Sequence, residues 1–228
     1  MNNGVKVILE GFTKSYVKKT KEPSDFSFGF KVDNNWYYIF IQKDGEFEVI
    51  KEEPPKDKLY FTTDSETLKK IYNGKMAIMT AMGRARWDDP TPLDIKNLED
   101  FPQDINPYAF VFKYFTIGQP EKIKLKNEYA RIIHGGYAIP IVYDEGLRTG
   151  WYRIEEGMII NEEESQQTNP FPTLIIAIEG TGTAKIGDKE YTLEKGDAYH
   201  ISPNIPHMFW TNDKNGFEFI IIMYGENA

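Results

Sequence analysis

The sequence predicts two domains, an N-terminal α+β domain with helices covering an antiparallel sheet and a C-terminal all-β domain closed as a barrel. Three observations predict it. Apolar residues at helical spacing occupy residues 5–17 and recur after Thr63, with strand-like alternation between them. Beyond residue 118 the chain reads as short strands separated by glycine-rich turns. The charge also changes: residues 1–118 carry 17 basic and 18 acidic side chains, residues 119–228 carry 10 and 17. A chain of 228 residues can bury two modest cores. The expected division is 1–118, a linker over 119–132, and 133–228.

Composition removes several function classes. A net charge of -8 argues against a nucleic-acid partner, which needs clustered Lys and Arg against phosphate. With no cysteine there is no disulfide, thiol nucleophile or thiolate metal site. The start, MNNGVKVILEGFTKSYVKK, lacks the apolar run and small-residue cleavage site of a secretory signal, and no uncharged stretch is long enough to span a membrane. A cytoplasmic protein with no integral membrane segment is expected. Aromatic residues make up 14% of the chain, which suits well-filled cores or apolar pockets.

The first element is an amphipathic helix, with Val5, Ile8, Leu9, Phe12 and Tyr16 on one face. Phe26, Phe28, Phe30 and Val32 then alternate with polar or small residues as a half-buried strand. A turn at Asp33-Asn34-Asn35 leads to a strand over 36–41, Lys43-Asp44-Gly45 turns into 47–49, and 59–61 follows the Pro54-Pro55 break. These four strands read as an antiparallel meander. Thr63 and Glu66 have capping-box spacing before a helix with Leu68, Ile71 and Tyr72 on its apolar face, ended by Asn73-Gly74. A second short helix is expected over 75–82, with Met76, Met79 and Met82 on one side. They serve as core filler or as a deformable wall of an apolar ligand pocket. Residues 84–87 read as a last strand, broken by Pro90-Thr91-Pro92, and 108–116 as a closing helix.

The order helix, meander and then TTDSETLKKIYNGKMAIMTAMGRARW resembles the sterol carrier protein type 2 family. Asp64, Leu68, Asn73-Gly74-Lys75-Met76, Ala81-Met82 and Gly83 carry the likeness over roughly residues 1–116. The resemblance implies an apolar interior that takes a lipid-like ligand, and no chemistry.

In the second half nine strands are expected, over 137–143, 150–154, 158–161, 174–179, 183–186, 189–193, 198–201, 207–211 and 217–224. Gly180, Gly182, Gly187-Asp188, Gly196-Asp197 and Pro203-Asn204-Ile205-Pro206-His207 punctuate them. This arrangement resembles the cupin family, a double-stranded β-helix barrel that closes its sheet edges. That family often holds a divalent metal on three His and one Glu. Anchored on Gly180, its first motif puts Thr173 where Glu is usual, and the two His positions fall on Gln166 and Thr168, or on Gln167 and Asn169 with shorter spacing. His207 alone stands at a ligand position with a ligand residue. Neutral amides and hydroxyls are poor donors for a transition metal, so no metal is expected beyond low occupancy at His207, with His134, His200 or Glu162, Glu163 and Glu164 as further donors only where they converge on it.

Alternation puts His207 and Phe209 on one face, where a single His in an aromatic-lined cavity can bond a carboxylate or carbonyl ligand or act as an acid or base. Arg131, Arg148 and Arg153 are candidate anion clamps. Three functions compete. The first is a non-enzymatic binding protein, with an apolar or lipid-like ligand in the first domain and a small ligand or partner at the barrel through His207, Phe209, Gln166, Thr168 and Thr173. The second is a cupin enzyme of isomerase, lyase or oxygenase type using a weak metal at His207. The third is an assembly or regulatory protein that forms a homodimer through an exposed sheet. One His without a carboxylate is a thin catalytic kit, which favours the first.

Overall fold

A computed structural model describes residues 3–20, 23–86, 88–102, 105–117, 122–226 and 228. The expected boundary at Gly118-Gln119-Pro120 lies outside them. The chain divides into two compact units, one of residues 1–82 and 90–123, the other of 83–89 and 124–228.

In the first unit α1 (Asn3–Lys19) is followed by β1 (Phe26–Val32), β2 (Asn35–Ile41), β3 (Phe47–Ile50) and β4 (Tyr60–Thr63). Then come α2 (Ser65–Tyr72), α3 (Ile78–Met82), β5 (Leu93–Lys96) and α4 (Pro107–Phe115). The sheet order is β3-β2-β1-β4-β5. It is not a meander, because β4 pairs parallel to β1, Phe30 opposite Phe61. The segment after β3 therefore crosses the sheet, and Gly29 makes room for it: a Cβ there would stand 2.6 Å from Pro54 Cγ. On the other face Phe28, Phe30 and Phe61 meet Phe110, Tyr114 and Phe115 of α4, and Phe12 of α1 packs on Tyr114 and Phe115, with ring centroids 5.0–6.1 Å apart. All are buried.

Four local expectations are corrected here. The α2 cap is Asp64, whose Oδ1 accepts from Thr67 N at 2.7 Å and Oδ2 from Thr67 Oγ1 at 2.8 Å. Thr63 instead donates to the Pro92 carbonyl at 2.9 Å. The second helix starts at Ile78, so Met76 precedes it; Met79 is buried, while Met76 and Met82 are only half-buried, and no three-residue methionine stripe forms. Residues 84–86 make no strand, because the Ala85 and Arg86 amides turn onto Asp89 Oδ2 at 3.2 and 2.9 Å; Trp87 lies outside the described residues. The closing strand is β5, which begins directly after the proline break and pairs with β4.

The second unit holds β6 (Arg131–Ile133), β7 (Gly136–Asp144), β8 (Leu147–Ile154), β9 (Ile159–Ile160), β10 (Thr173–Glu179), β11 (Thr181–Ile186), β12 (Lys189–Glu194), β13 (Ala198–Ile201), β14 (His207–Trp210) and β15 (Phe217–Tyr224). They form a six-stranded sheet, β13-β10-β15-β8-β7-β6, and a four-stranded sheet, β12-β11-β14-β9. The inner faces share one core that includes Ile154, Ile175, Ala184, Leu193, Phe209, Phe217 and Phe219. Phe209 and Phe219 meet across it at 5.3 Å. The strand expected inside none of the sequence segments is β6, which falls where a linker was read. It is only three residues long and takes its partner from β7 through a tight turn. No helix among the described residues is long and apolar enough to cross a membrane.

Candidate functional site

A polar cluster interrupts the apolar barrel core around His207, which opens β14 after the exposed turn of residues 202–206. Its backbone is pinned on both sides: its N–H donates to the Gln167 carbonyl at 2.8 Å, and its carbonyl accepts from Asn161 Nδ2 at 3.3 Å. The residue is 2% exposed. Nδ1 lies 2.9 Å from the Ile205 carbonyl, which can only accept, so Nδ1 carries the hydrogen and Nε2 presents a lone pair. Asn169 Nδ2 donates to that lone pair at 3.4 Å and to Thr173 Oγ1 at 3.2 Å. An amide nitrogen has two hydrogens, so both bonds are made at once. Thr173 is buried, and the Phe209 ring lies 5.7 Å from the imidazole.

His134 reaches the same cluster from the β6–β7 turn. Its Nδ1 lies 3.3 Å from Gln166 Oε1; with the amide oxygen as acceptor, Nε2 again holds the lone pair. The turn is pressed against β9: Gly135 has φ +90°, and a Cβ there would stand 2.0 Å from the Ile159 carbonyl oxygen. Asn161 N donates to the His134 carbonyl at 2.9 Å, and Asn204 N to the Asn169 carbonyl at 2.7 Å. His134, Asn161 and Asn204 all have positive φ, three of the five such non-glycine residues described. Strain of this kind persists where surroundings over-determine it, and here it is spent on fixing one polar cluster.

Burial is the main influence on both imidazoles, and it pushes both below their ordinary range. For His207 the Ile205 carbonyl opposes that and the charge on a protonated His134 adds to it. For His134 the Gln166 contact and Asp89 oppose it. Burial thus favours the neutral form of both rings, and a charge on His134 further disfavours protonation of His207.

Of the residues expected at the site, His207, Phe209 and Thr173 come together around Asn169, while Gln166 meets His134. Thr168 does not: it is exposed, and the side chain that reaches His207 is Asn169, the choice given by the shorter motif spacing. Gln167 contributes its carbonyl, while its side chain turns to Met208 Sδ at 3.0 Å. His200 is exposed beside Tyr224, its ring 6.3 Å away, on β13. Glu162, Glu163 and Glu164 are exposed, and Glu163 pairs with Arg86. Met76, Met79 and Met82 belong to the first unit. Sequence reasoning gave no role to Asn161. The signal for His134 was its place before Gly135 between two apolar runs, a hairpin signature.

The cluster does not suit a three-His, one-Glu metal centre. It offers two imidazoles, three amides and a hydroxyl, and among the described residues no three His, Cys, Asp or Glu side chains converge to hold a metal ion.

Comparison with known proteins fits the barrel. The family model described as the cupin domain matches residues 151–223, less than half of the chain. Similar solved structures include a cupin 2 conserved barrel domain protein from Salinispora arenicola, at 13% identity over 47% of this chain and 91% of that one, with a TM-score of 0.42. A cupin superfamily protein from Desulfitobacterium hafniense is 14% identical over 47% of this chain and 93% of that one, with a TM-score of 0.37. A conserved protein of unknown function from Streptococcus pyogenes is 15% identical over 49% and 93%, with a TM-score of 0.39. Likeness at this level carries no functional inference. No curated protein matches the chain. Nothing in these comparisons supports the sterol-carrier resemblance of the first half.

Proposed function

We propose that the barrel is a non-enzymatic binding module that takes a small polar ligand at a metal-free site around His207. The observation that carries this reading is the neutral His207 imidazole, locked with Nε2 as an acceptor and bounded by Asn169, Thr173 and Phe209. Such a ring accepts a hydroxyl or amide hydrogen from a ligand. Among the described residues its ring partners are the Ile205 carbonyl and the Asn169 amide rather than a carboxylate, which favours binding over general-base chemistry.

A second reading, a weak-metal enzyme, draws on one observation: the Nδ1 contacts of His134 and His207 leave an acceptor nitrogen on each ring, and a charge on His134 is felt at His207. The two are separated by thermal unfolding of the protein with a panel of small hydroxylated compounds, in chelator and in added zinc or nickel. The binding reading expects stabilisation in chelator that His207→Ala abolishes. Stabilisation only with metal would replace it by the second reading.

The apolar ligand expected in the first domain has less to rest on. Aromatic rings pack between the sheet and α1 and α4, and a separate open groove of ≈ 580 Å³ has Asp25, Glu48, Lys58 and Asp100 among its lining residues. Lipid carriage calls for a dry, enclosed tunnel, whereas this groove is open and lined in part by charged side chains.

A further inference from the structure

Arg148 of β8 forms no ion pair among the described residues, and part of its guanidinium is buried. The register sets Arg148 opposite Met223, Tyr152 opposite Phe219 and Ile154 opposite Phe217, so all three β8 residues share the inner face of the six-stranded sheet. The guanidinium carbon lies 4.4 Å from the centroid of the Tyr143 ring and 5.2 Å from that of Phe171. Nε is buried and has no hydrogen-bond partner. The other two arginines considered as clamps are engaged: Arg153 holds Glu218 at 2.6 Å, and Arg131 donates to the Gly83 carbonyl. Arg148 makes no ion pair among the described residues.

A guanidinium stays charged at any pH a protein meets, and ring stacking returns only part of what partial burial costs it. Its position also matters. Thr173 pairs with Met223, and Met223 with Arg148, so the three stand in one row across β10, β15 and β8. At the usual strand spacing the Thr173 and Arg148 Cα atoms are then about 10 Å apart. Phe171, two residues before Thr173, brings the stacked guanidinium back toward the polar cluster.

We infer that Arg148 is the anion-binding group of this site, and that the ligand is a small organic oxyanion with a hydrogen-bond donor at its other end. The oxyanion, carboxylate or phosphate, takes the two-pronged edge of Arg148. The donor, a hydroxyl or amide, takes His207 Nε2 in place of the long contact from Asn169. The inference rests on the proposed reading of the barrel as a small-ligand site.

The test is thermal unfolding in chelator at constant ionic strength, with 4-hydroxybenzoate, glycerol phosphate and the neutral 4-hydroxybenzamide, on wild type, Arg148→Met, Arg148→Lys and His207→Ala. At least one anion is expected to raise the wild-type Tm by ~2–4 °C while the amide does not, with the gain lost in Arg148→Met and partly kept in Arg148→Lys. Which anion does so separates carboxylate from phosphate. Ligand-free Arg148→Met is expected to be at least as stable as wild type, since it keeps the packing and removes an unpaired charge. A response that survives Arg148→Met, no response to either anion, or an Arg148→Met chain that fails to fold while Arg148→Lys folds would each overturn the inference. Anion binding that needs Arg148 but ignores His207→Ala would keep Arg148 as the anion-binding group and overturn both the donor's place on His207 and the His207-centred reading. Binding of the amide that needs His207 alone would do the reverse.

Discussion

The Ile205 carbonyl accepts the Nδ1 hydrogen of His207 at 2.9 Å, and this bond fixes which nitrogen faces the Asn169 amide. The carbonyl belongs to the exposed turn between Pro203 and Pro206, so the turn orients the ring as well as leading the chain into β14. Without it the imidazole could present either tautomer, and the cluster would have no defined polarity.

Stability is expected to fall on acidification through these two histidines. Their folded-state values lie below the ordinary 6.5, so between the folded value and 6.5 the unfolded chain holds more protons. Stability then rises with pH across that window, is fully present above 6.5, and is lost as pH falls through the folded value. Asp89 faces His134 and moderates its share. Urea midpoints at pH 7.5 and 5.5 measure this, and His207→Asn is expected to flatten the difference. Equal midpoints in the wild type would contradict it.

Asn169→His is expected to create a metal site where the wild type has a poor one. The new imidazole would replace an amide whose nitrogen is 3.4 Å from His207 Nε2, with His134 nearby as a third donor. Calorimetric titration with zinc should show affinity at least about tenfold above wild type, a gain of roughly 1.4 kcal/mol. An unchanged affinity would mean the three rings do not converge.

Gly135→Ala is expected to be among the most damaging single-methyl changes in the barrel. It adds a side chain at φ +90° and places it 2.0 Å from a backbone oxygen of β9. Strained backbone costs on the order of 1–3 kcal/mol, with the clash in addition. Chemical denaturation would show it, and a loss under about 0.5 kcal/mol would argue against the tight turn that carries His134.

Asp64→Ala is expected to lower stability by about 1 kcal/mol, the usual worth of an N-cap. Burial raises this carboxyl, but hydrogen bonds from Thr67 and the neighbouring backbone outweigh it and hold it below its ordinary 3.8. The stabilisation is therefore present above 3.8 and lost as pH falls through the folded value, so at pH 7 the substitution should show its full cost. The matching change Thr63→Ala removes the bond to Pro92 and leaves this cap intact.

Much of the fold could be read from local pattern because alternation reports burial directly. Phe26 to Val32 and the shared face of His207 and Phe209 follow from it. Pairing between distant strands leaves no local mark, so the parallel register of β1 with β4 was invisible; its only trace is Gly29, which Pro54 requires. The choice between Thr168 and Asn169 failed for a related reason. One residue of slip exchanges the inward and outward side chains, and a motif without His gives no anchor. His134 belongs to the site through a turn far from it in sequence, and only the assembled β6–β7 hairpin brings it there.

The most direct test of a metal-free ligand site is the ¹⁵N resonance of the His207 Nε2 atom at pH 7.5 in chelator, during titration with 4-hydroxybenzoate. Before ligand it should show the shift of an acceptor nitrogen in a neutral ring, since its partner Nδ1 carries the hydrogen. The account predicts a saturable change as the ligand's donor engages it, absent in Arg148→Met. A resonance that stays fixed in chelator and moves only when zinc is added would contradict it.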